Sequence, residues 1–264
     1  MIIEALSPIT RGGYCVSIQN IKTAHLVHDL KNPINIIESG AQSLLDKQDR
    51  YGNLNPKQEK VVRRMLRNAM KLRNLANNML EVDMASLGVL HIEDCNLARI
   101  LRIALVEVFD LIDPVVSDAL EQATAFDKFV SILKANNVLL EADPRHLQKQ
   151  IFIDETKMSL IVTNLLSNAF KYKNKSIRLR VSMDDDTIEL AVKDDGPGIP
   201  ESYHQQIFDS YFQCQKIEDF PVRGHGLGLA GALALAGAMG GSLSICKSPQ
   251  GAEFVVHVKS CPKP

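Results

Sequence analysis

His28 and Asp29 stand side by side in the string HDLKNP, within a stretch whose apolar residues recur at helical spacing. Near pH 7 a neutral imidazole has a free lone pair and can attack an electrophile without first losing a proton, so His28 is a candidate nucleophile. Asp29 can polarise the ring or take its proton as a bond forms. Asn32 follows His28 by four residues and shares its helical face, where an amide can hold a water in line with a group carried on the imidazole. Pro33 cannot donate to the carbonyl of Asp29, so a bend or loosening is expected just beyond His28. His25 lies one turn earlier with no acid directly after it, and lone helical histidines are usually solvated or satisfied in a core. We therefore read it as a bystander.

Three further strings suit a phosphate-bearing ligand with a flat base. In NLLSNAFKY, Asn164 and Asn168 are four apart on one helical face, and a carboxamide oxygen is a hard neutral ligand able to complete the shell of a magnesium ion already held by phosphates. Lys171 adds an ammonium and Tyr172 a hydroxyl. An isolated NxxxN is ordinarily polar helix surface; the later strings outweigh that reading. In DDGPGI, Asp194 ends a strand at a tight turn whose glycines let backbone approach a ligand, and its carboxylate can accept from the exocyclic amine of a base. In GHGLGL, glycines precede an Ala-rich helix and turn N–H groups toward phosphate. No GK[ST] follows, which excludes a Walker loop, and the order of motifs excludes a dinucleotide-binding Rossmann fingerprint.

The four strings in this order resemble the H, N, G1 and G2 boxes of sensor histidine kinases of two-component signalling, over roughly residues 20 to 258. The resemblance implies ATP and Mg as cofactors, His28 as phosphoacceptor, Asp29 as its acid–base partner, and Asn32 as the amide that supports dephosphorylation of a partner regulator. It implies nucleotide contacts by Asn164, Asn168, Lys171, Tyr172, Asp194, Gly196, Gly198, Ile199, Gly224, Gly226, Leu227 and Gly228, with Asn168 as the metal ligand. Asp195 falls at a variable position. Residues 200 to 223 resemble a lid over ATP, anchored by Phe208 and Phe212. The implied partners are a second copy of the chain and the receiver domain of a response regulator. Two alternatives stay open: an ATPase of the DNA-gyrase, mismatch-repair and heat-shock chaperone group, and a degenerate kinase serving as an interaction module.

Composition is consistent with this reading and excludes other classes. The 264 residues, 45% hydrophobic, suffice for two modest domains each with a core. A net charge of -1 gives no electrostatic case for nucleic acid. Five widely spaced cysteines without CxxC argue against a disulfide framework and a zinc site, and fit a reducing cytoplasm. We expect no secretory leader and no membrane segment: the longest apolar run, Leu227 to Met239, is shorter than the about 20 residues a bilayer requires. No sensor domain is recognisable before His28, so input is expected from a separate sensory protein, the short N-terminus or sequence beyond these residues.

These groups need a scaffold, and the expected class is α+β. An irregular lead-in to residue 16 is expected to precede a long helix to about Leu45, then a second helix opened by Pro56 and ending near Gly88. Two such amphipathic helices leave an apolar stripe half covered, and pairing two hairpins into a dimeric four-helix bundle covers it. Residues 1–90 are thus read as a dimerisation and phosphoacceptor domain, and 91–264 as an ATP-binding α/β sandwich. Within the latter, helices are expected over Leu97–Ile112, Asp154–Tyr172 (capped by Asp154) and Leu227–Met239. Strands are expected over Val138–Glu141, Gln150–Ile153, Ile177–Met183, Thr187–Lys193, Ser242–Lys247 and Glu253–Val258. The acidic region Asp113 to Lys134 has room for another helix and is longer than the resemblance requires.

Overall fold

The computed structural model describes residues 11–85, 90–209, 212 and 228–262, and divides into two units, Met1–Leu87 and Gly88–Pro264. The first unit contains α1 (Arg11–Asp46), a short α2 (Gln48–Tyr51) and α3 (Pro56–Ala85). Seven-residue spacing organises it. Val27, Ile34 and Ala41 of α1 and Val62, Ala69 and Ala76 of α3 are all buried, the repeat of a coiled-coil seam. A second stripe at the same spacing, Leu30 and Ile37 on α1 and Met65 and Leu72 on α3, is exposed. Arg73 of α3 reaches Glu38 of α1 at 2.8 Å across the hairpin. Asn55 caps α3: its Oδ1 accepts from Lys57 and Gln58 N–H while Gln58 Oε1 accepts from Asn55 N–H, a reciprocal capping box beside Pro56 in the first turn.

The expected lead-in needs correction. Residues 11–16 are already helical, so the long amphipathic helix outlasts the local penalty of Gly12 and Gly13, about 1 kcal/mol each relative to alanine. The rest of that lead-in, residues 1–10, lies outside the described residues. Helix α1 also continues through Pro33.

The second unit begins with a two-stranded antiparallel ribbon of β1 (Glu93–Asn96) and β3 (Gln150–Ile153). Its main sheet has the order β2 (Val138–Ala142), β4 (Ile177–Asp184), β5 (Thr187–Asp194), β7 (Glu253–Lys259), β6 (Ser242–Cys246). The β2–β4 pair is parallel, crossing over through α7 (Pro144–Gln148), β3 and α8 (Glu155–Tyr172); the other pairs are antiparallel. Strand alternation decides the faces. Ile188, Leu190 and Val192 of β5 oppose Val258, Val256 and Phe254 of β7 on the buried side, and the same parity turns Asp194 inward at the end of β5. The opposite face carries ion pairs, such as Arg180–Glu253 at 3.1 Å and Lys193–Glu253 at 3.8 Å.

Helix α8 runs through the core: Met158, Ile161, Val162, Leu165 and Leu166 are fully buried, packed among α4 (Leu97–Ile112), α9 (Gly228–Ala238) and β5. A helix covered on most sides needs apolar residues most of the way round, and α8 has them. Its start is fixed by Asp154, which accepts from Lys157 N–H at 3.0 Å and His91 N–H at 3.0 Å and pairs with the buried Lys157 ammonium at 2.8 Å. Residues 113–134 hold two helices, α5 (Pro114–Glu121) and α6 (Phe126–Ala135), the first opened by Asp113 accepting from Val115 N–H with Pro114 in its first turn. Among the described residues, no helix is long and apolar enough to cross a membrane.

Candidate functional site

One constellation in the second unit gathers residues from the end of α8, the loop after β5, the start of α9 and the β6–β7 loop. Asn164 is buried and Asn168, one turn on, is half-buried. Gly228, the first residue of α9, leans on Asn164: a Cβ at 228 would lie 3.2 Å from Asn164 Oδ1. Lys171 lays its ammonium on Tyr172, 2.8 Å from the hydroxyl and 4.6 Å from the ring centroid. Gly196 lies so close to the end of α8 that a Cβ there would collide with the Tyr172 carbonyl oxygen.

Asp194 anchors the base end. Its Oδ1 accepts from Gly196 N–H at 2.8 Å and Ala252 N–H at 3.3 Å, and its own N–H donates to the Ala252 carbonyl at 3.0 Å. Both of these carboxylate bonds use Oδ1. Burial pushes the Asp194 carboxyl above the usual carboxylate range; the two N–H groups oppose this, and neighbouring Asp195 adds to it. Gly198, with φ of 75°, approaches Gly251, with φ of 73°: a Cβ at 198 would lie 3.0 Å from the Gly251 carbonyl oxygen. Ile199 is held through its carbonyl, which accepts from His204 Nε2 at 3.0 Å.

Of the expected nucleotide residues, Gly228 thus meets Asn164, Gly196 joins Tyr172 (with Lys171) to Asp194, Gly198 and Ile199 follow in the same loop, and Asn168 lies one turn after Asn164 on α8, while Gly224, Gly226 and Leu227 lie outside the described residues. Of the two aromatics expected to anchor a lid, Phe208 meets Phe254 edge-on with centroids 6.4 Å apart and Phe212 lies 5.8 Å from Tyr203. Of the expected lid, residues 200–209 and 212 are described and hold two short 3-10 turns, Glu201–Tyr203 and Gln206–Phe208, while residues 210, 211 and 213–223 lie outside the described residues. Sequence reasoning missed three participants. Gly251 was signalled by its place after Pro249 in a hairpin loop, which reads as an ordinary turn. His204 carries no motif. Asp195 does more than occupy a variable position: its carboxylate accepts from the N–H groups of Asn174 at 2.9 Å, Lys175 at 2.9 Å and Ser176 at 3.0 Å, and from the Ser176 hydroxyl at 3.1 Å.

In the first unit, His28 lies within α1 and its side chain is outside the described ones, as is that of His25. Asp29 and Asn32 are exposed on the same helix, and Lys31 is half-buried.

The family model described as "His Kinase A (phospho-acceptor) domain" matches residues 22–88, and that described as "Histidine kinase-, DNA gyrase B-, and HSP90-like ATPase" matches residues 153–261. Among curated proteins, the chain is 27% identical over 250 residues to the signal transduction histidine-protein kinase AfsQ2 of Streptomyces coelicolor, covering 91% of this chain and 42% of that protein. It is 26% identical over 223 residues to the sensor histidine kinase YkoH of Bacillus subtilis, covering 84% of this chain and 43% of that one. The chain therefore spans less than half the length of these relatives. Among solved structures, full-length ShkA in complex with AMPPNP superposes with a TM-score of 0.62 at 22% identity, over 93% of this chain and 47% of that one, a likeness of fold.

Proposed function

The chain belongs to the sensor histidine kinases of two-component signalling, and we propose that it moves the γ-phosphoryl group of ATP onto His28 and from there onto an aspartate of a response-regulator receiver domain. The observation that carries this is the joint presence, in one chain, of a phosphoacceptor hairpin containing the His28–Asp29 pair and a second unit in which Gly228 meets Asn164 and Gly196 joins Tyr172 to Asp194.

The chemistry follows from the residues. An imidazole nitrogen lone pair of His28 attacks the γ-phosphorus; the bond from phosphorus to the bridging oxygen breaks and ADP leaves with that electron pair. The phosphorylated ring, now cationic, then sheds the one proton on its other nitrogen, for which Asp29 is the adjacent acceptor. The Asp194 carboxylate accepts from the adenine amine, and its Oδ1 is held still by Gly196 and Ala252 N–H. Lys171 and Tyr172 close the phosphate end as a hydrogen-bonded pair. The donor set fits a magnesium ion that arrives with the phosphates, with Asn168 supplying one neutral amide oxygen. Such an ion, when bound, neutralises charge on the phosphoryl oxygens.

Three further readings belong to the same proposal. The exposed stripe of Leu30, Ile37, Met65 and Leu72 is the face on which a second copy packs to complete a four-helix bundle. Asn32 makes the protein a phosphatase of its own regulator. The kinase works in the cytoplasm, with input from a sensory segment or a separate sensory protein.

Incubation with γ-labelled ATP tests the central step: wild type should acquire an acid-labile, alkali-stable label that His28→Ala lacks. Full labelling of that variant, or loss only in His25→Ala, would move the site. Release of free phosphate with no label on the protein would favour the ATPase reading instead.

A further inference from the structure

Asp194 ends β5 and Asp195 follows it directly, and each holds a different element. Asp194 turns inward to the base pocket. Asp195 turns toward the C-terminal end of α8, where the chain leaves the helix at Lys173 and runs through Asn174, Lys175 and Ser176 into β4.

Three successive backbone N–H groups, those of Asn174, Lys175 and Ser176, converge on the Asp195 carboxylate: Asn174 donates to Oδ1, Lys175 to both oxygens and Ser176 to Oδ2, with the Ser176 hydroxyl added on Oδ2. This is an anion nest filled by a side chain of the same protein. The tie is returned, because Asn174 Nδ2 donates to the Asp195 carbonyl at 2.7 Å. Partial burial alone would raise the Asp195 carboxyl, but the N–H groups of Lys175 and Ser176, the Ser176 hydroxyl and the Asn174 N–H outweigh it and hold the group below the usual carboxylate range. One residue on, Gly196 packs its backbone against the Tyr172 carbonyl with no room for a side chain. Asp195 therefore ties the segment that leaves α8 just after Lys171 and Tyr172 to the end of β5, which carries Asp194.

We propose that Asp195 is a positioning residue for the nucleotide, setting the phosphate end of the site (Lys171 and Tyr172) at a fixed distance from the base end (Asp194). It touches no ligand itself. This inference rests on the nucleotide reading above and adds to it a residue whose loss uncouples the two ends of the site while leaving each one standing.

The test compares two probes on the same preparations, with magnesium present: a non-hydrolysable ATP analogue, which engages both ends, and adenosine, which engages the base end alone. In Asp195→Ala the affinity for the analogue should fall about tenfold while that for adenosine stays within about twofold. Asp195→Asn keeps one acceptor oxygen for part of the nest and should recover part of the difference. A parallel fall for both probes, no change for either, or loss of folding in both variants would assign Asp195 to stability alone and overturn the inference. If wild type binds neither probe, the nucleotide reading itself fails, an outcome distinct from the others.

Discussion

The backbone carbonyl of Asp194 occupies the space in which any side chain at Gly251 would begin. A Cβ there would lie 2.6 Å from the Asp194 carbonyl carbon and closer still to its oxygen, and Gly251 has a φ of 73°. The β6–β7 loop can thus deliver Ala252 N–H to the Asp194 carboxylate only if residue 251 is glycine.

Gly251→Ala should therefore impair both stability and nucleotide binding. The left-handed backbone alone costs about 1–3 kcal/mol for a residue with a side chain, and the obstacle is backbone, which cannot swing aside. Thermal unfolding and titration with an ATP analogue would measure the two effects. A variant with unchanged melting temperature and affinity would show that this loop does not support Asp194.

Asp194 should give base binding an acid limb that lies higher in pH than an ordinary aspartate would. Its carboxyl is raised above the ordinary value of 3.8, chiefly by burial, so on acidification it takes a proton before exposed carboxylates do. Protonation places a hydrogen on a group that must accept from the adenine amine. Affinity should accordingly rise with pH through the raised value and level off above it. The sign for stability follows from the same shift: the folded state binds this proton more tightly than the unfolded chain, so the contribution of Asp194 declines as pH rises through that window. Adenosine is the suitable ligand, because ATP phosphates titrate as well. Asp194→Asn should bind weakly and without the acid limb; an unchanged pH profile in that variant would remove Asp194 from base recognition.

How much of this was legible depended on whether a residue acts through a repeating pattern or through a single contact. Helix α4 and strand β3 were readable end to end because apolar periodicity and turn residues bound them, and α8 was readable from its Asp154 cap. Strand β1, Glu-Asp-Cys-Asn, has no apolar alternation: only Cys95 is buried, and the ribbon rests on pairing with β3 far along the chain. Helices α5 and α6 were blurred into one acidic region because Asp113 ends one helix and caps the next, so that no loop residues separate α4 from α5. At the site, Asn164, Asp194 and Gly228 announced themselves by spacing. Asp195 and Gly251 act by where their atoms meet distant backbone, which no local pattern encodes.

The exposed stripe on the hairpin should govern self-association. Ile37, Val61, Met65 and Leu72 line one groove with Arg64 and Asn68, Met65 and Leu72 being seven residues apart beside a seam that is already buried. Covering each large apolar side chain contributes about 1.5–3 kcal/mol, so Ile37→Lys with Met65→Lys should shift a dimer toward monomer at micromolar concentration. Light scattering reads the mass directly. A wild type that is monomeric under those conditions, or a double variant that stays dimeric, would show that the hairpin face is covered by something other than a second copy.

Kinase and phosphatase activities should separate at Asn32. This residue lies one turn beyond His28 on α1 and is exposed, and its amide can orient a water but cannot itself take a phosphoryl group. Water so held would attack the phospho-aspartate of the regulator. Asn32→Ala should then retain acid-labile labelling at His28 while the phosphorylated regulator becomes long-lived, a loss of about 100- to 10,000-fold, the range of a missing general acid–base group. The decay of purified phospho-regulator mixed with each variant gives the rate. Normal decay with impaired labelling would instead assign Asn32 to the geometry of α1 around Pro33, where a side chain next to a residue that cannot donate its backbone hydrogen bond has reason to serve the helix.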